Sequence, residues 1–198
     1  SRAHAQMLNS VGILSDEETS DLLAELDLLL KEVDEGSFTI EEKFEDVHSK
    51  IEYELTRKLG RTGKKIHAGR SRNDQVLVCL HLYAKDQIVE IKRLIKKLFD
   101  RLISLSEEHK QAIIPGYTHM QVAMPSSFGL WFGAYAESLI DDLYMLTAAY
   151  RVADQNPLGS AAGYGTSLPL DRSVTTELLD FKTLKYNSVA AQMSRGRL

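Results

Sequence analysis

The chain has 198 residues, 43% of them hydrophobic and 26% charged, which is an ordinary globular composition. A formal net charge of -4 with no basic stripe argues against non-specific nucleic-acid binding. No apolar run approaches membrane-spanning length, no signal peptide is visible, and the lone Cys79 cannot close an internal disulfide, which together point to a reducing, cytoplasmic compartment and no membrane partner.

Residues 2–9 read as the end of a helix already under way, closed near Gly12. With no initiator methionine before Ser1 and no evident cap after Arg197, the chain is expected to be a piece of a longer product. Ser15 followed by Asp16, Glu17 and Glu18 is a capping box with acids in the first turn. Leu22, Leu23, Leu26, Leu29, Leu30 and Val33 then recur at helical spacing until Gly36. Phe38, Thr39 and Ile40 read as a short extended connection. Val47, Ile51, Leu55 and Leu59 form the next stripe, ending at Gly60, with His48 one position after Val47. A lone histidine there is more often a satisfied structural residue than a ligand.

After a predicted loop over 60–65, the stretch from Ile66 to Gln75 concentrates His67, Arg70, Ser71, Arg72, Asn73, Asp74 and Gln75 in front of the longest helical pattern. Gly69 allows a sharp turn, and either Ser71 or Asn73 can cap the helix. The free N–H groups and positive dipole end then lie beside Arg70 and Arg72, a place to hold a carboxylate or a phosphate. The plainer reading is a basic, well-capped helix start. No proline or glycine interrupts the chain from there to Pro115. Leu77, Ala84, Ile91, Leu98 and Leu105 repeat every seven residues, with Ile88, Ile95 and Leu102 beside them. This predicts a rod of about 50–55 Å inside a bundle shared between subunits.

Pro115 to Gln121 is a second polar break, and Ser126 or Ser127 caps another long helix running to about Asp154. Gly129 and Gly133 leave room for a second backbone; Glu137, Asp141 and Asp142 rule out lipid as the partner. The third break, Asn156 to Thr166, is rich in small residues but has neither of the common phosphate-loop spacings. A short helix from Asp171 to Leu179 follows, and nothing alternates with period two long enough to demand a strand.

Polar breaks at the ends of long helices can gather residues distant in sequence. Arg72 and Asn73 could bind a carboxylate, Thr118 could add a hydrogen bond, and His119 is of a type suited to proton transfer. No His, Cys or carboxylate spacing supports a metal among His48, His67 and His119, and Cys79 inside the heptad helix is a poor nucleophile. Residue types alone suggest proton chemistry on a polycarboxylate.

The string from His67 to Val76 closely resembles the first signature region of argininosuccinate lyase. Gly116-Tyr117-Thr118-His119-Met120-Gln121 with Pro125 resembles the second, and Pro157-Leu158-Gly159 with Asp171-Arg172 the third. Ser1-Arg2-Ala3-His4 and Glu45-Asp46-Val47-His48 match in order, so the resemblance spans essentially the whole chain. Arg72 favours this branch over the related fumarases and aspartases. Ala68 departs from the family, which more often has Thr.

The resemblance implies an incomplete all-α, long-helix fold of the fumarase/aspartase superfamily, with residues 1–65 an N-terminal helical domain and 66–198 part of a central bundle. It implies a homotetramer that splits argininosuccinate reversibly into arginine and fumarate in arginine biosynthesis, with neither metal nor organic cofactor. By position, Ser1, Ser71, Arg72, Asn73 and Thr118 would bind the substrate's carboxylates, His119 would take part in proton transfer, and His48 would support the site. The family's Gly- and Ser-rich loop with Met-Pro-x-Lys-x-Asn, which supplies the serine usually assigned as base, has no counterpart here. These 198 residues alone are therefore expected to be inactive. Two other readings stay open: a structural protein like the delta-crystallins, and a sibling lyase acting on another succinyl-type substrate.

Overall fold

The structure is a computed structural model, and it describes residues 1–196. Its contacts divide the chain into two compact units, residues 1–81 with the segment from 154 onward, and residues 82–153.

The first unit opens with α1 (Arg2–Ser10), which buries Ala3, His4, Ala5, Met7 and Leu8. In α2 (Asp16–Asp34) the capping box forms as its sequence requires: Ser15 Oγ accepts the Glu18 N–H at 3.1 Å and Glu18 returns a carboxylate to the Ser15 N–H at 3.0 Å. Leu22, Leu26 and Leu29 of the predicted stripe are buried, whereas Leu30 and Val33 are exposed. Asp46 caps α3 (Val47–Leu59), accepting the Ser49 N–H at 2.8 Å. The segment read as a loop is instead a short helix, α4 (Arg61–Lys65), held against α3 because Gly63 has no side chain. A Cβ there would lie 2.2 Å from the carbonyl oxygen of Leu55. Met7, Leu8, Leu14, Leu22, Leu26, Leu29, Leu55 and Ile66 form the core of this unit.

The rod is α5 (Arg72–Glu108), 37 residues and about 55 Å at helical rise. Leu77 and Val78, on its first turns, are buried in the first unit; Ile91, Leu94 and Leu98, farther along, are exposed.

The second unit departs from the sequence reading. The polar break is a two-stranded antiparallel hairpin, β1 (Ile113–Thr118) and β2 (Gln121–Ser127). It gave no period-two signal because most of its residues are exposed on both faces, so neither face needs an apolar row. Pro115 and Pro125 pair across it, tolerable because both strands are edges. In α6 (Phe128–Ala153), Ser127 Oγ accepts the Leu130 N–H at 3.1 Å. Gly129 allows the expected close approach: a Cβ there would lie 2.7 Å from Lys110 Cα.

The chain returns to the first unit with β3 (Gln155–Asn156), α7 (Arg172–Leu178), β4 (Thr183–Leu184) and α8 (Ser188–Met193), and β3 pairs in parallel with β4. Asp171 caps α7. No described helix is long and apolar enough to cross a membrane. Helices dominate and the strands are few and short, consistent with an all-α fold that is incomplete.

Candidate functional site

The first turn of α5 is the focus of the first unit. Gly69 adopts φ +67° just before it, in van der Waals conflict with any side chain, since a Cβ would lie 2.7 Å from Leu170. Ser71 is the cap: its hydroxyl oxygen accepts the Asp74 N–H at 3.2 Å, and its own N–H donates to Asp74 Oδ1 at 3.0 Å. The Ser71 hydroxyl proton remains available to a ligand. Asp74 is fully buried, and its Oδ2 accepts N–H groups from Gly159 and Ala161, both at 3.2 Å. The first and third polar breaks are therefore tied together by one carboxylate. Burial holds that carboxyl above its usual range, against the pull of the Ser71, Gly159 and Ala161 N–H groups and the Arg70 charge.

Asn73 donates its amide to Gln192 Oε1, and Gln192 in turn donates to Ser160 Oγ at 2.7 Å and the Ala161 carbonyl at 2.9 Å. Arg72 donates to Gln75 Oε1 at 3.0 Å and forms ion pairs with Asp46 at 3.5 Å and Glu52 at 3.7 Å. Arg172 braces the same loop from the other side, donating to the carbonyls of Leu158 and Asn156.

Beside this turn lies a narrow crevice, with about 10 Å³ of enclosed room, lined by Ser1, His48, Glu52, Arg70 and Gln75 over Ile51 and Ile66. His48 is half-buried, and that burial, reinforced by the Arg70 and Arg72 charges, holds its pKa below the usual value against the raising effect of Asp46. Its imidazole is thus neutral at physiological pH.

Thr118 and His119 belong to the second unit. They sit at the hairpin tip, where His119 and Met120 form the two-residue turn at φ +50° and +63°. Such a turn normally takes Asn-Gly, because a non-glycine residue there is strained. Both Thr118 and His119 are exposed.

The structure thus gathers Ser1 and His48 on one crevice and Ser71, Arg72 and Asn73 on one helical turn, while Thr118 and His119 cap a separate hairpin. Sequence reading missed Glu52, Gln75, Asp74 and Gln192 as members of the first cluster. Asp74 was legible as the third residue after the cap. Gln192 carried no signal, because α8 is too short to show a period.

Comparison with known proteins places these features in context. A family model described as Lyase matches residues 1–197. The argininosuccinate lyase of Parabacteroides distasonis is 60% identical over 198 residues, all of this chain and 44% of that protein. The Xanthomonas oryzae enzyme of the same name is 44% identical over 197 residues, again all of this chain and 46% of that protein. The chain therefore spans less than half the length of these relatives. Among solved structures, EDDS lyase in complex with formate superposes with a TM-score of 0.86 at 29% identity, over 96% of this chain and 37% of that one. A fumarate lyase:delta crystallin from Brucella melitensis gives 0.80 at 17% identity over 98% of this chain and 48% of that one, a likeness of fold alone.

Proposed function

The chain belongs to this lyase family, and from that premise we propose that the whole protein splits argininosuccinate into arginine and fumarate by reversible β-elimination. The observation that carries the reading is the joining of two motif regions at one turn, Asp74 binding the Gly159 and Ala161 N–H groups while Asn73 reaches Ser160 through Gln192. Relatives of that name matching over the full length of the chain support it.

In this reading Ser1, Ser71, Arg72, Asn73 and Thr118 bind the substrate's carboxylates, His119 takes part in proton transfer and His48 supports the site. Loss of the proton from the carbon beside one carboxylate builds negative charge on that carboxylate. Donors fixed beforehand, such as the Ser71 hydroxyl and Asn73 amide at a helix N-terminus, lower that barrier more than flexible ones would. The carbon–nitrogen bond then breaks, the carbon–carbon double bond of fumarate forms, and the departing guanidino nitrogen takes a proton. No metal or organic cofactor is called on. The base falls to the family's serine loop, for which these 198 residues hold no matching string. Residues 1–65 are read as the N-terminal helical domain and 66–198 as part of the central bundle of a cytoplasmic homotetramer.

The test is ultraviolet detection of fumarate released by the whole protein from argininosuccinate, beside other succinyl-type substrates. We expect release from argininosuccinate alone, and His119→Asn to lower turnover at least a hundredfold, the scale of a lost general acid or base. No fumarate from argininosuccinate would reject the reading; full activity in His119→Asn would reject the role of that residue. The non-catalytic reading, a delta-crystallin-like scaffold, predicts no turnover of any substrate.

A further inference from the structure

Arg70 is only 8% exposed, yet among the described residues no carboxylate closes an ion pair with it and its Nε has no hydrogen-bond partner. Asp74 and Glu52 are close enough to act on it as negative charges, but the hydrogen bonds and ion pairs of both go to other groups. Asp74 is taken up by the N–H groups of Ser71, Gly159 and Ala161. Glu52 faces His67 at 3.4 Å and Arg72 at 3.7 Å. Burial has pulled the Arg70 pKa down to about 10, so the guanidinium remains charged at neutral pH. A buried guanidinium nitrogen without an acceptor is costly, and the cost disappears when an anion supplies one.

The space next to Arg70 is narrow, so an anion would enter it by one small group. Arg70 borders the crevice shared with Ser1, His48 and Gln75. Its other polar walls include a hydroxyl, an amide and a neutral imidazole, none of which opposes a negative charge, and the one carboxylate of the lining, Glu52, has Arg72 at 3.7 Å. Because Asp74 and Glu52 already offset part of its charge, Arg70 favours a singly charged carboxylate over a phosphate dianion. Its planar fork also matches two carboxylate oxygens.

We infer that Arg70 binds a carboxylate of the substrate in this crevice, a contact separate from those of Arg72 and Asn73. The inference rests on the lyase reading for the identity of the ligand, but not for the existence of the anion site.

The experiment uses the whole protein with Arg70→Gln and Arg70→Lys. Fumarate affinity is measured by calorimetry, and KM and kcat are measured for argininosuccinate. In Arg70→Gln we expect fumarate Kd and substrate KM each to rise at least about tenfold, with kcat changed less. Arg70→Lys should recover part of the affinity, because it restores the charge but not the fork. Monomethyl fumarate and inorganic phosphate serve as probes: wild type should favour fumarate over both, and Arg70→Gln should narrow the preference over the ester. A purely structural Arg70 would lower thermal stability and leave that preference unmoved. Folded Arg70→Gln with wild-type fumarate affinity, or phosphate bound in preference to fumarate, overturns the inference. Should Arg70→Gln not fold, a crystal structure of the wild-type protein with fumarate decides. A carboxylate oxygen on the Arg70 guanidinium supports the site, and fumarate seated elsewhere refutes it. If wild type binds fumarate through Arg70 yet releases none from argininosuccinate, the functional reading fails and the anion site stands.

Discussion

His4 is fully buried, its Nε2 donating to the Ala68 carbonyl at 2.9 Å, and its Nδ1 has no partner. Protonating Nδ1 would bury an N–H with nothing to accept it. Burial, with the Arg70 charge nearby, accordingly holds the pKa down to about 3. The unfolded chain takes up that proton near pH 6.5 while the folded chain refuses it until about pH 3. Stability should therefore be full above pH 6.5 and fall as pH drops through that window, by up to a few kcal/mol. We expect His4→Gln to flatten the loss between pH 6.5 and pH 4 in denaturant titrations; an unchanged slope would mean that other groups carry it. His119 shows a different residue-scale cost. A histidine at φ +50° costs on the order of 1 kcal/mol or more, and glycine would remove it.

At the scale of elements, Asp74 acts as a clamp between the start of α5 and the small-residue loop before α7. Three backbone N–H groups, from Ser71, Gly159 and Ala161, depend on its carboxylate. Asp74→Ala would leave them buried without acceptors and open a cavity, a loss of about 3 kcal/mol by denaturant unfolding. The same change should speed hydrogen exchange at the Gly159 and Ala161 amides about tenfold or more, while amides of α2 stay protected. Exchange that stays slow at those two positions would show that the loop is held by other contacts, such as Arg172. The hairpin teaches the complementary lesson. Its strands were invisible in sequence because they bury little on either face; the turn that joins them uses His119 and Met120 in place of the usual Asn-Gly.

For the whole molecule, the apolar seam along α5 is left exposed at several of its predicted positions. Ile91 is 42% exposed and Leu98 51%, although both occupy heptad positions that predicted burial. In a tetramer sharing this rod those positions would be covered, so Ile91→Asp should disperse the assembly by placing an unpaired charge in an apolar seam, at a cost of several kcal/mol. Sedimentation velocity measures this directly, and an unchanged profile would count against a shared seam. The sequence by itself marked the long helices, the Ser15 capping box and the stop at Gly60, since periodicity, capping boxes and glycines act within a few residues, but it left the caps of α5 and α6 each open between two residues. It also marked Ser71, Arg72, Asn73 and His119 as unusual, because such polar density is costly unless used. Only the tertiary structure decided that Asp74 reaches Gly159 and Ala161, that Gln192 holds Asn73, and that the Arg70 Nε is buried without an acceptor. Those facts depend on which distant segments share a dielectric environment and which donors find acceptors, quantities that exist only after the chain has closed on itself.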